Sequence, residues 1–307
     1  MFGFRKYNYE NFTRDVLMKD MLTDKISGPR PGDRAPDFEG RTLEGDRIRL
    51  SDLQNQKNVV LTFGSATCPF TASSIRGMNR LFNDYSGEDV QFLFVYVREA
   101  HPGERLSAHE NMKDKIRAAE IFRRDDNVEM PIIVDDVNGS IHRKYGKLPN
   151  PTYLIDRSGR VAFRSLWTRA NVVEDALEEL LERQSQRGVD HAVVNGGEDR
   201  SMPSRVALLH AHRALQRGGR QSLRDFSREM GLPGRMTVMS SRIAEPLAMN
   251  PGRAAAGAAI TAGVIVGALY VGRWLRRKRL GARAPYEFRG YRPPRGTTGS
   301  EYEAVGI

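Results

Sequence analysis

Cysteine is almost missing from this sequence: Cys68 is the only one in 307 residues. A lone thiol excludes an intrachain disulfide and any multi-cysteine zinc or iron–sulfur site, so a reducing compartment suits the folded part. No metal is expected either, since His191, His210 and His212 lie outside the folded region and show no metal-ligand spacing. The first residues, MFGFRKYNYENFTRD, lack an uninterrupted apolar core, which excludes a secretory signal or a spanning helix there. Residues 1–199 also lack a basic excess, holding 29 Lys+Arg against 32 Asp+Glu. The formal charge of +10 sits in residues 200–307, with 19 against 6. No nucleic-acid partner is expected.

What is present falls into five segments: a polar leader over 1–30, a folded domain over 31–185, an Arg-rich and partly helical linker over 186–252, a transmembrane helix over 253–273 and a basic, disordered tail over 274–307. Ala254 to Gly272 is a run of 19 residues without a charge, close to the roughly 20 that a bilayer-spanning helix needs. The alternative is a buried Ala/Gly-rich helix of a soluble protein. Arg253 on one side and Arg273, Trp274, Arg276, Arg277, Lys278 and Arg279 on the other make an aromatic and cationic collar. Gly263 and Gly267 form a Gly-x-x-x-Gly face on which two copies could pack as a homodimer. The reading is a single-pass C-terminal anchor whose domain stays in the cytoplasm.

Within the domain, NVVLTFG (58–64), VQFLFVYV (90–97), MPIIVDD (130–136), PTYLIDRSG (151–159) and RVAFRSL (160–166) carry the strand signal. Helical spacing predicts a helix from Phe70 to Asp84 with Ile75, Met78, Leu81 and Phe82 inward. A second is expected from about Ala108 to Arg123, with Met112, Ile116, Ala119 and Ile121 or Phe122 inward, and a third from Asn171 to Gln184. Strand–helix–strand implies a right-handed parallel crossover. DRSG at 156–159 implies an antiparallel hairpin. The order βαβ then ββα, with a central mixed sheet, is an α/β thioredoxin-like fold.

Cys68 stands where the first strand gives way to a helix, before Pro69, a favoured first helical residue. Backbone N–H groups of the first turn can point at its sulfur and favour the thiolate that cysteine chemistry requires, and Ser65 and Thr67 add hydroxyls. The carboxyl end of a central strand is also the usual ligand location in open α/β sheets. The alternative is a buried structural cysteine. Glu99 and His101 follow the end of the neighbouring strand, and period two places them on one side of an extended chain, an arrangement suited to a proton relay. His109 could face the same cleft. His142 reads as structural.

The run VVLTFGSATCPFTASSIRGMNRLFNDYSGEDVQFLFVYVREAHPGE resembles the active-site region of iodothyronine deiodinases, selenoenzymes of thioredoxin fold. The similarity covers about residues 35–182. It implies that Cys68 takes the selenocysteine position and attacks the iodine of an iodinated phenol. The proton would come from Glu99 and His101, with His109 assisting, and Phe70 would support the site. An external thiol of thioredoxin or glutathione type would be the reductant, and no prosthetic group is implied. The run has one proline after the cysteine where the family has two. Asn150-Pro151-Thr152 stands where the family has Glu-Arg, and Pro151 resembles the cis-proline that faces the active cysteine in thioredoxins. More broadly, the opening PGDRAPDFEG and NPTYLIDRSGRV look peroxiredoxin-like.

Two other functions remain open at this point. One is a one-cysteine thiol peroxidase acting on peroxide. The other is a non-enzymatic, membrane-tethered binding module whose basic tail meets anionic lipid or an acidic partner through 254–272 and its flanks. A dithiol mechanism is excluded, because Thr71 occupies the place of a second cysteine.

Overall fold

The computed structural model describes residues 7–18, 27–87 and 89–248. The apolar run 254–272 and the basic tail lie outside these residues. Among the described residues, no helix is long and apolar enough to cross a membrane.

The chain opens with a short turn of helix, α1 (Arg14–Val16), and a small antiparallel ribbon of β1 (Glu39–Arg41) and β2 (Arg47–Arg49). The central sheet is built from β3 (Asn58–Gly64), β4 (Val90–Tyr96), β5 (Ile132–Val134), β6 (Thr152–Ile155), β7 (Val161–Ser165) and β8 (Glu198–Asp199), in the order β5-β4-β3-β6-β7-β8. β3 runs parallel to β4, and β4 to β5, whereas β6 is antiparallel to both β3 and β7. β3 is buried along its whole length because both faces are covered. Val60, Phe92 and Phe94 point to one side, where they meet α2 (Pro69–Tyr85), α3 (Met112–Asp126) and α5 (Ala170–Arg187). Val59, Leu61, Phe63, Leu93 and Val95 point to the other, against Ile141 and Tyr145 near α4 (Ser140–Lys144). Alternation along the strands thus divides one sheet between two cores. This is the mixed-sheet, thioredoxin-like arrangement expected.

Gly64 ends β3 where no side chain fits: a Cβ there would stand 2.6 Å from Phe94 Cζ and 2.6 Å from Thr71 Cγ2. The glycine lets the first turn of α2 close onto the strand end, which sets the height of Cys68.

Four expectations change. The leader is packed from Tyr7 to Val16, with Tyr7, Asn8, Phe12 and Val16 buried. The segment expected as a linker forms α6 (Ser204–Leu209), α7 (Ala211–Gly218), α8 (Arg220–Glu229) and α9 (Gly231–Ala248), and these pack back on the sheet domain. Two of its arginines are paired on the domain and partly covered: Arg217 meets Asp126 through two contacts, of 2.5 and 2.6 Å, and Arg213 adds one at 2.9 Å.

α3 begins at Met112 because Asn111 Oδ1 caps it, accepting from Asp114 N at 3.0 Å. Its inward face is Lys115, Ala118, Ala119 and Phe122, while Met112 and Ile116 are exposed. Lys115 can be buried because its Nζ donates to Asp136 O at 2.9 Å. A pattern of apolar residues cannot register a lysine satisfied in this way. Last, no peptide bond among the described residues is cis, so Pro151 does not reproduce a cis-proline. Its carbonyl accepts from Phe63 N at 2.9 Å, and Asn150 O accepts from Thr168 N at 2.8 Å. The chain is already in ladder register at 150–151, which a trans bond suits.

Candidate active site

Cys68 is the N-cap residue of α2, with Pro69 at its first position. It is 1% exposed. Burial pushes its thiol up, while the amide and hydroxyl of Thr71 and the amide of Phe70 pull the other way. The negative charge of Glu99 adds to the upward push. Phe70 packs on Trp167 with ring centroids 4.5 Å apart, closing the side of the first turn.

Because β3 and β4 are parallel with Gly64 opposite Tyr96, the loops leaving them rise at the same edge. Hydrogen bonds tie the two together. Thr67 donates to Glu99 Oε2 from its backbone N at 3.0 Å and from its hydroxyl at 2.6 Å. Thr67 Oγ1 accepts in turn from His101 N at 3.0 Å, and Ser65 Oγ from Ala100 N at 3.2 Å. Ser65 and Thr67, expected to serve the sulfur, hold the second loop instead. The hydroxyl that pulls the thiol down is that of Thr71.

Glu99 is the hub. Burial alone would raise its carboxyl, but His109, Thr67 and Tyr96 hold it below the usual carboxylate range. Tyr96 donates its hydroxyl to Oε1, and His109 Nε2 lies 3.5 Å from the same oxygen. Burial, then the carboxylate, drives the Tyr96 phenol well above its ordinary range, so it stays a donor. The imidazole facing Glu99 is thus His109, not His101. His109 is set by Asn8 of the N-terminal segment, whose Nδ2 donates to His109 O at 2.9 Å.

His101 occupies an aromatic slot, with its ring 4.3 Å from Phe12 and 5.5 Å from Phe226. Its Nδ1 is buried without a partner, and burial pushes its pKa down to about 3. His142 makes both ring contacts, to Tyr7 Oη and Leu148 O, each at 2.7 Å. It is a satisfied core histidine. Among the described residues, no group of acidic, histidine and cysteine side chains could hold a metal ion.

The neutral His101 has a stability consequence. Between its ordinary value near 6.5 and about 3, the unfolded chain binds a proton that the folded chain refuses. Stability therefore falls as pH drops through that window, by up to about 1.4 kcal/mol per pH unit. Urea midpoints measured across it should decline less steeply in His101→Phe than in the parent, and equal slopes would refute this assignment.

The helical segment caps the site. Ser222 Oγ donates to His101 O at 2.8 Å, Arg217 Nη1 to Ala66 O at 3.0 Å and Arg105 N to Gly218 O at 3.0 Å. Phe12, Phe226, Ala211 and Leu215 form one apolar cluster over the loop. None of these residues carried a local sequence signal, because each matters only through what it covers. Removing the Phe226 ring should weaken cap docking by about 2 kcal/mol, a roughly 30-fold rise in the open population. Alkylation of Cys68 by a small haloacetamide should accelerate by that factor in Phe226→Ala. An unchanged rate would show that the thiol is reached by another route.

The family model for iodothyronine deiodinase matches residues 7–185. A thyroxine 5-deiodinase of Gallus gallus is 30% identical over 135 residues, which is 40% of this chain and 52% of that protein. A type I iodothyronine deiodinase of Xenopus laevis is 25% identical over 142 residues, 43% and 55% of the two. The chain thus spans about half the length of the curated relatives it matches. Among solved structures, a thiol:disulfide interchange protein from Chlorobium tepidum aligns at 17% identity over 50% of this chain and 98% of its own, with a TM-score of 0.39. The fold assignment rests on strand order and pairing. The family match covers more than half of the chain and takes in Cys68, Glu99, His101 and His109, so the chain belongs to the iodothyronine deiodinase family.

Proposed function

We propose that the protein is a cysteine-dependent reductive dehalogenase of iodinated phenols, using an external thiol as reductant. The observation that carries this reading is the buried Glu99 carboxylate, held by Thr67, Tyr96 and His109 beside a cysteine at a helix N-terminus. Cys68 as thiolate attacks the iodine: the S–I bond forms, the C–I bond breaks, and the ring carbon takes a proton passed through His109 and Glu99. The ring is reduced and the sulfur oxidised by two electrons. A first external thiol displaces iodide to give a mixed disulfide, and a second releases Cys68 as thiol and leaves as the oxidised disulfide. One cysteine in the chain makes an outside reductant necessary. The helix N-terminus and Thr71 stabilise the thiolate, Phe70 and Trp167 wall the site, and the His101 slot holds the loop.

The reading places the domain on the cytoplasmic side, anchored through 254–272. It is tested with the purified full chain, since residues 7–16 and the helices beyond 200 cover the site. Iodide release from an iodinated phenol and peroxide consumption are measured in parallel with a dithiol reductant. Iodide release dependent on enzyme and reductant is expected, and peroxide turnover without iodide release would sink the reading in favour of a thiol peroxidase.

A further inference from the structure

α9 is inside out. Gly234, Ser241 and Glu245 are buried and Val238 is half-buried, and at 100° per residue these four share a sector of roughly 60°. Leu232, Met236, Met239 and Ile243 fall in a second sector of similar width on the opposite side. They are 71%, 52%, 57% and 59% exposed. A surface helix ordinarily turns the apolar stripe inward. Here the polar side is claimed by specific partners: Ser241 Oγ accepts from His212 N at 3.0 Å, and Glu245 Oε1 meets His210 Nδ1 at 3.0 Å. The helix is therefore held in its orientation by polar bonds, with its apolar stripe in solvent.

We propose that this stripe is a binding face for an anionic lipid surface. Two features of the chain select that occupant. Exposed Arg235 and Arg242 flank the stripe along one side, the pattern of a helix that lies in the headgroup region with its apolar face down. Only ten residues, 244–253, separate Ile243 from the uncharged run that begins at Ala254. A tether of ten residues spans at most about 35 Å, which sets the reach between Ile243 and any bilayer that the run enters. The acidic groups nearest in sequence are Glu245, Glu229 and Asp225: Glu245 and Asp225 are buried, and the partly buried Glu229 is paired with Arg228 and accepts from Arg14 N, so the unpaired exposed charge beside the stripe is positive. The inference is independent of the reaction at Cys68.

The test places an environment-sensitive fluorophore at Met239→Cys in the full chain carrying Cys68→Ser, with Ser185→Cys on α5 as the control position. The labelled chain is diluted from mild detergent into vesicles of phosphatidylcholine with or without phosphatidylglycerol. A blue shift and quenching by bromine-labelled acyl chains are expected at 239, stronger with phosphatidylglycerol, and neither at 185. Absence of quenching at 239, or quenching equal in both vesicle types, overturns the proposal. So does shielding of the label before vesicles are added: concentration-dependent shielding would assign the stripe to a second copy, and concentration-independent shielding to a segment of the same chain.

Discussion

Cys68→Ser brings iodide release down to the rate of the reductant alone, a loss of at least about 10³-fold. Serine is close to isosteric, and this residue's backbone bonds, Cys68 N to Ser65 O at 3.3 Å and Ala72 N to Cys68 O at 3.0 Å, survive the change. The variant should therefore keep the parent's urea midpoint while losing chemistry, because a hydroxyl is not ionised at any pH the fold tolerates. The parent enzyme adds a second signature. Burial raises the thiol above its ordinary value, so at neutral pH the reactive thiolate is a minority species. The rate of Cys68 alkylation and of iodide release should climb with pH from 7 toward 9, by up to about tenfold per unit while thiol predominates. Residual iodide release in the serine variant, or a rate flat in pH across this range, would take the sulfur out of the reaction.

His109→Gln lowers turnover by about 10²- to 10³-fold, the usual cost of losing a positioned proton-transfer group. The imidazole stands 3.5 Å from Glu99 Oε1 and is buried with it, so glutamine can keep a polar contact there but cannot carry a proton. Alkylation of Cys68 reads the thiol without needing proton delivery to a ring carbon, and should stay near the parent's rate. Turnover lost with alkylation preserved separates a relay from a general collapse of the site. Turnover preserved would mean that the proton arrives by another path, and the Glu99–His109 contact would then be structural.

The sheet and its strand order were legible because burial on both faces leaves near-continuous apolar runs at 58–64 and 90–97, and the turn at 156–159 announces a hairpin. Cys68, Pro69 and Glu99 were legible for a related reason: strand ends and helix starts are local events. The choice between His101 and His109 was not. Period two correctly places Glu99 and His101 two residues apart on an extended chain, yet the loop leaves β4 and folds His101 toward Phe12 and Phe226. His109 comes back to Glu99 only because Asn8, about a hundred residues earlier, holds its backbone. Lys115 misled for the opposite reason, since a lysine buried on one carbonyl looks like a surface residue in any pattern of apolar positions.

By itself, the sequence determined the layered α/β fold, the cysteine at the strand-to-helix junction, the absence of a second cysteine and the concentration of positive charge beyond residue 200. These follow from periodicity, turn chemistry and composition, which act over a few residues. The tertiary structure decided which imidazole meets the carboxylate, and that α7, α8 and the N-terminal segment close over the two loops. Those outcomes depend on contacts between residues 91 to 215 positions apart. No local pattern encodes such contacts, and they arise only when the packed sheet brings distant loops to one edge.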